Sequence, residues 1–291
     1  MNPFTLRVAA RGARHRLARA AQCGGLALLI AGTVVGSLAA HDLFLKPEAW
    51  FVRANTSVRV AVLNGTFISS EGAVTRDRLR DLTIAGPRGV THGDTSAWIG
   101  SGKTVTWSAP VGDAGTYVLG ASLSPRTLAL KGADFNTYLG SEGLPDVLAA
   151  RKAAGELDLP ARERYSKHVK AVIQVSRPGG TAYSTPLGYP AELVPLDDPY
   201  LLHHAGTLRV RALVDGQPVA GQVVLAGARS PRGTRIAERE VRTDADGIAT
   251  VRVRGPGTWY VKFIRMVRVA PTPTDSVTHE SKWATLTFAV R

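Results

Sequence analysis

Short blocks with period-two alternation, each closed by a turn residue, are the feature that most narrows what this chain can become. Thr207-Leu208-Arg209-Val210-Arg211-Ala212-Leu213-Val214 alternates apolar and polar side chains and stops at Asp215-Gly216. Successive strand side chains point to opposite faces, so such alternation marks a half-buried strand. Asp-Gly and Pro-Gly pairs supply the backbone conformations that join strands. Residues 219–225 follow as a strand. Thr243-Asp244-Ala245-Asp246-Gly247 then turns into 248–253, Gly255-Pro256-Gly257 turns into 258–263, and the chain closes on 285–290. Strands at this spacing predict a small immunoglobulin-like β-sandwich over residues 200–291.

The same punctuation recurs upstream. Residues 58–63 end at Asn64-Gly65, a hairpin-type pair; 80–84 end at Gly86-Pro87; 103–107 end before Pro110; and 115–120 read as another strand. Residues 133–171 break the pattern. Phe135, Tyr138 and Leu139 sit at helical spacing, and Pro145 opens a second helix that Gly155 ends. A third helix is expected from Ala161 through Tyr165 and Val169, with Arg162, Glu163, Arg164, Lys167 and Lys170 as its solvated face and His168 on the surface. Residues 177–199 are rich in Pro and Gly and read as a connector. The fold class expected is mainly β: two β-sandwich domains, 41–199 and 200–291, the first carrying a helical insertion.

Residues 1–40 have a different character. Arg7, Arg11, Arg14, Arg16 and Arg19 precede an apolar run from Gly24 to Gly36, then small residues up to Ala39-Ala40. This is the plan of a cleavable secretory leader, and the apolar run falls short of the roughly 20 residues that span a bilayer. The mature chain is therefore expected to be periplasmic, with no membrane span. A cut after Ala39 places Ser37 at the −3 position, whereas a cut after Ala40 places Leu38 there. Either product begins with or next to His41. Losing the five leader arginines lowers the formal charge from +13 to +8. The remaining Lys and Arg form no dense run, so nucleic acid is not an expected partner. Cys23, in the leader, is the only cysteine, which excludes disulfides, zinc–thiolate sites and a cysteine nucleophile from the mature chain.

No nucleophile elbow, phosphate-binding loop or His-Glu-x-x-His motif is present, so a non-enzymatic role is expected. Histidines carry what chemistry remains. An α-amino group and imidazole together at His41, or an amine, peptide nitrogen and imidazole at Ala40-His41, suit Ni²⁺ or Cu²⁺. His203-His204 at the domain junction and His279 beside Glu280 are the further metal-ligand candidates. A copper brace at His41 would need one of these three as its second imidazole. Asp244 and Asp246 lack the glutamate and ligand count of a calcium loop and read as turn residues. Trp50, Trp98 and Trp107 read as core, or else as the binding surface of a non-catalytic envelope module for protein or glycan.

Two resemblances add to this reading. Asp215-Gly216-Gln217-Pro218-Val219-Ala220-Gly221, followed by Thr243-Asp244-Ala245-Asp246-Gly247, resembles transthyretin-like modules of secreted proteins. Five stretches in order resemble the exported DUF4198 family, related to periplasmic accessory components of nickel and cobalt uptake transporters. They are Ala40-His41-Asp42-Leu43-Phe44-Leu45-Lys46-Pro47; Phe135-Asn136-Thr137-Tyr138-Leu139 with Glu142-Gly143-Leu144; Arg162-Glu163-Arg164-Tyr165-Ser166-Lys167; Glu192-Leu193-Val194-Pro195-Leu196 with Asp198-Pro199-Tyr200; and Trp283-Ala284-Thr285-Leu286-Thr287-Phe288. The resemblance implies a periplasmic protein that binds Ni²⁺ or Co²⁺, with Cu²⁺ as a further candidate, and assists uptake by an inner-membrane transporter. His41 is the position that transfers most directly.

Overall fold

A computed structural model of the chain describes residues 41–202 and 205–291. The expected leader and His203-His204 lie outside the described residues. In chain order the elements are β1 (Asp42–Pro47), β2 (Phe51–Val52), β3 (Thr56–Gly65), β4 (Leu79–Gly86), β5 (Gly89–His92), β6 (Trp98–Ser101), β7 (Thr104–Val111), β8 (Gly115–Leu123) and β9 (Arg126–Leu130). Helices α1 (Gly132–Ser141) and α2 (Pro145–Ala153) follow, then β10 (Ala161–Val175), β11 (Ala191–Pro195) and β12 (Gly206–Val214). The chain finishes with β13 (Gln217–Pro218), β14 (Val223–Arg229), β15 (Arg235–Arg242), β16 (Ile248–Val253), β17 (Gly257–Arg268) and β18 (His279–Val290).

These strands form three sheets, and one of them is shared. The order β15-β14-β17-β18-β10-β8-β4-β5 makes a long sheet to which β2 and β9 attach along β10. A four-stranded sheet, β1-β3-β7-β6, covers one face of it at the amino-terminal end. There Val60, Trp107 and Leu45 interdigitate with Leu119, Ala171 and Ile173. The sheet of β11, β12, β13 and β16 covers the opposite face at the other end, where Leu208, Val210 and Val251 meet Val261, Leu286 and Phe288. The chain is thus mainly β and built of two sandwiches, and its described residues make one compact unit. Trp98 and Trp107 are buried in the first core, in the packing role expected of them.

Strand β10 lies where the two sandwiches overlap, and it is the main correction to the sequence reading. The expected third helix is a fifteen-residue strand, parallel to β18 and antiparallel to β8 and β9. Val169, Val172, Ile173 and Val175 are β-branched and favour extended backbone. Because both faces are covered, every residue from 166 to 175 is buried and no alternation survives to announce a strand. The charged helix face does not exist: Glu163, Lys167 and Lys170 are buried, while Arg164 is half-exposed and pairs with Asp275 and Glu280. His168, expected on the surface, is also buried, between Ser122 Oγ (2.9 Å) and Ser166 Oγ (3.0 Å).

Other expectations meet different fates. Helices α1 and α2 form as the spacing requires. Phe135, Tyr138, Leu139 and Leu144 pack on Ile264, Met266 and Trp283, on the face of β17 and β18 that the third sheet leaves open. Gly155 takes a left-handed φ of 68° after α2, where an L-residue would be strained. Asp215 and Gly216 both have positive φ in the two-residue turn. Asp244 Oδ1 accepts the Asp246 and Ile248 amides, which is turn chemistry. The 177–199 connector contains β11, whose Glu192 is fully buried and faces Lys170 Nζ at 2.5 Å. Asn64-Gly65 is not a hairpin turn but stays within β3, Gly65 pairing with Asp42.

Candidate functional site

Loop 66–71 turns the end of β3 into a wall. Thr66 N–H donates to Ser69 O, and Glu71 N–H reaches back to Asn64 O at 2.9 Å. This fold-back places the Glu71 carboxylate against His41, the residue just before β1, with Nδ1 and Oε2 3.4 Å apart. Both side chains remain partly exposed. They stand on a pocket of about 370 Å³ that is also lined by Asp42, Glu142, Glu238, Tyr260 and Lys262, with Arg229 and Arg235 among the remaining contributors. Phe44, Phe67 and Tyr260 form its apolar floor, with ring centroids 4.8–5.2 Å apart.

At the centre of the pocket stands Lys262. Strand alternation sends Trp259, Val261 and Phe263 into the second sandwich core, so Tyr260 and Lys262 face the other way. The Lys262 ammonium lies 2.5 Å from Asp42 Oδ2, 3.4 Å from Glu142 Oε2 and 3.7 Å from Glu238 Oε1. Tyr260 O–H donates to Glu238 at 2.9 Å. Burial alone would lower the Lys262 pKa, but the three carboxylates outweigh it and hold it above the usual lysine value. Burial and then Asp42 push the Glu142 carboxyl up to about 7, against the opposing pull of Lys262. Asp42 Oδ1 is buried and has no hydrogen-bond partner among the described residues.

Behind His41 lies Lys167, whose ammonium donates to the His41 carbonyl. It sits 4.7 Å from the Trp283 ring and 5.4 Å from the Tyr165 ring. Burial lowers it to about 8, with Asp42 working against that shift. One layer further, Glu163 accepts from Tyr138 O–H at 3.1 Å and from Ser281, while its Oε2 has no partner among the described residues. Burial raises the Glu163 pKa.

Of the histidines singled out in the sequence, His41 and His279 are described, and they sit in different surroundings. His279 begins β18, opposite Glu163 in register. It is buried against the Phe135 ring (4.9 Å), and its Nδ1 is 2.9 Å from Thr278 Oγ1. Burial drives its pKa down to about 4. Lys167, which holds the His41 carbonyl, is four positions beyond Glu163 on β10, about 13 Å at strand rise. His203-His204 cannot be placed, being outside the described residues. Among the described residues no three His, Cys, Asp or Glu side chains form a ready-made metal cage.

The residues missed from sequence are Glu71, Glu142, Glu238, Lys262 and Lys167. One signal was present: a lysine inside the apolar run Trp259-Tyr260-Val261-Lys262-Phe263-Ile264 must be buried, and a buried ammonium requires carboxylates.

The family model described as "Domain of unknown function (DUF4198)" matches residues 38–266. No curated protein matches the chain. Among solved structures, trypsin-activated alpha-2-macroglobulin from Escherichia coli is 9% identical, with 86% of this chain and 16% of that chain covered and a TM-score of 0.21. A tetra-tandem repeat in the extending region of a large adhesion protein is 11% identical, covering 86% of this chain and 49% of that one, TM-score 0.23. A two-domain fibronectin type-III segment of chicken tenascin is 9% identical, covering 86% and 98%, TM-score 0.20. The chain thus spans less than half the length of the first two.

Proposed function

We propose that this chain, which belongs to the DUF4198 family, is an exported, non-catalytic binder of a divalent transition metal, Ni²⁺ or Co²⁺ before Cu²⁺, that hands its cargo to an uptake transporter in the inner membrane. The observation that carries this reading is the meeting of His41 Nδ1 and Glu71 Oε2, 3.4 Å apart, on a pocket walled by further carboxylates. If export leaves His41 first, its amine, its Nδ1 and the Glu71 carboxylate make a three-donor set of borderline hardness. If Ala40 is first, the amine, the peptide nitrogen and the imidazole take that role, and Glu71 supports the ring.

The donor set fits such a cation at the pocket mouth rather than its centre. Asp42, Glu142 and Glu238 already share the Lys262 ammonium, so they contribute negative potential and not ligands. Lys167, bonded to the His41 carbonyl, fixes the backbone from which the chelating groups project and limits the ordering cost of binding.

Calorimetric titration of the processed protein with NiCl₂ and CoCl₂ tests this. Binding tighter than about 10 μM, weakened at least tenfold by His41→Ala and severalfold by Glu71→Gln, is expected, each tenfold being about 1.4 kcal/mol. No binding below millimolar, or full binding by His41→Ala, removes the proposal.

A further inference from the structure

A second pocket, of about 340 Å³, opens at the far side of the second sandwich between two free strand edges, those of β15 and β16. Its size falls within the roughly 300–1,000 Å³ of small-molecule sites. The wall is apolar: Ala226, Ile236, Val241, Val251 and Trp259. Ala226 leaves room there, a small residue of β14 that pairs with Arg239 of β15 on one side and Val261 of β17 on the other. The rim is cationic, with Arg239, Arg252 and Arg254, and among the described residues no carboxylate lines the slot.

Arg239 is there through a β-bulge. The register of β14 and β15 shifts between Ala226 and Ala228, so Ile236 pairs with Ala228 and Arg239 pairs with Ala226. Directly opposed residues share a face, which turns Arg239, together with Ile236, towards the sandwich interior. We propose that this slot binds a single-chain anionic amphiphile, its alkyl chain between the sheets and its acidic head on Arg239, Arg252 and Arg254. A guanidinium fork meets a carboxylate or phosphate in two parallel hydrogen bonds, and the apolar wall gains from every methylene withdrawn from water.

A peptide strand added to the open edge is the competing occupant, and the edge is built against it. A bulge, an inward-facing arginine and closely spaced charges (Arg235, Glu238, Arg239, Glu240, Arg242) are features that block strand addition. The slot is separate from the His41 pocket, so the two readings stand or fall independently.

Calorimetry with decanoate below its micelle concentration, and with decan-1-ol as the uncharged counterpart, tests the proposal. Decanoate is expected to bind at least tenfold more tightly than decanol. Arg239→Glu should weaken decanoate at least tenfold, while Arg53→Glu, exposed elsewhere on the protein, should leave it unchanged. Ala226→Leu should fill the slot and abolish binding of both probes; should it fail to fold, the arginine variants still decide. Equal affinity for decanol, undiminished binding by Arg239→Glu, an equal loss in Arg53→Glu, or no binding up to millimolar overturns the proposal. So does capture of an extended valine–glutamate peptide in place of decanoate.

Discussion

Replacing Lys262 by Met removes the cation that three carboxylates share. The ammonium is 7% exposed and its partners Asp42, Glu142 and Glu238 are 15%, 14% and 28% exposed, so solvent screens the cluster weakly. Breaking a buried pair by deleting one partner costs about 3–5 kcal/mol, because the charge left behind is uncompensated. For a protein of this size that lowers Tm by on the order of 10 °C. The loss is also pH-dependent. Glu142 titrates at about 7 in the fold against 4.5 ordinarily. Between those values the folded state keeps a proton that the unfolded chain has released, so stability rises as pH falls through that window. In the native protein this is worth on the order of 3 kcal/mol. In Lys262→Met the remaining carboxylates repel without relief, the window widens upwards, and protonation recovers more. Urea unfolding followed by tryptophan fluorescence at pH 7.5 and pH 5.0 reads both effects. The deficit should be about 3–5 kcal/mol at pH 7.5 and at most half that at pH 5.0. A deficit equal at the two pH values, or none at either, refutes the idea that Lys262 neutralises the cluster.

Two further outcomes are expected. Burial holds His168 neutral, with a pKa of about 3, so below pH 6.5 the unfolded chain takes up a proton that the fold refuses and stability falls as pH drops. By pH 4 this costs about 3 kcal/mol, and the urea midpoint of His168→Gln should fall less between pH 6.5 and 4 than that of the native protein. At the overlap of the sandwiches, Lys170→Met leaves Glu192 charged and unpaired apart from the Leu187 and Tyr189 amides. Thermal unfolding should show a loss of about 3–5 kcal/mol, and Lys170→Met with Glu192→Gln should regain most of it.

Strands that face water on one side could be read from the sequence, and strands buried on both faces could not. β12, with its alternating arginines, and the Asp215-Gly216 turn were visible because one face is wet. β10 was hidden because its charged residues find partners that lie far off in the chain: Lys167 meets His41, Lys170 meets Glu192, and Glu163 meets Tyr138 and Ser281. With no such partners in view, the run Arg162-Glu163-Arg164 imitates a solvated helix. The candidate site was half legible. His41 stood out from its place in the sequence, but Glu71 reaches it only through the fold-back of loop 66–71, and Lys262 stands 220 positions from Asp42 and 120 from Glu142. Spacing along a sequence carries no information about pairs of that kind.

Strand β18, the last of the chain, lies parallel to β10, and its Thr285 and Thr287 hydroxyls donate at 2.7 Å to Leu43 and Leu45 of β1. Those two bonds join residues 242 positions apart. Closure of such distant partners is slow, since the intervening chain must be ordered before the contacts can repay it. The two sheets of the first sandwich are therefore fastened to each other by the strand that the chain contributes after all their other members.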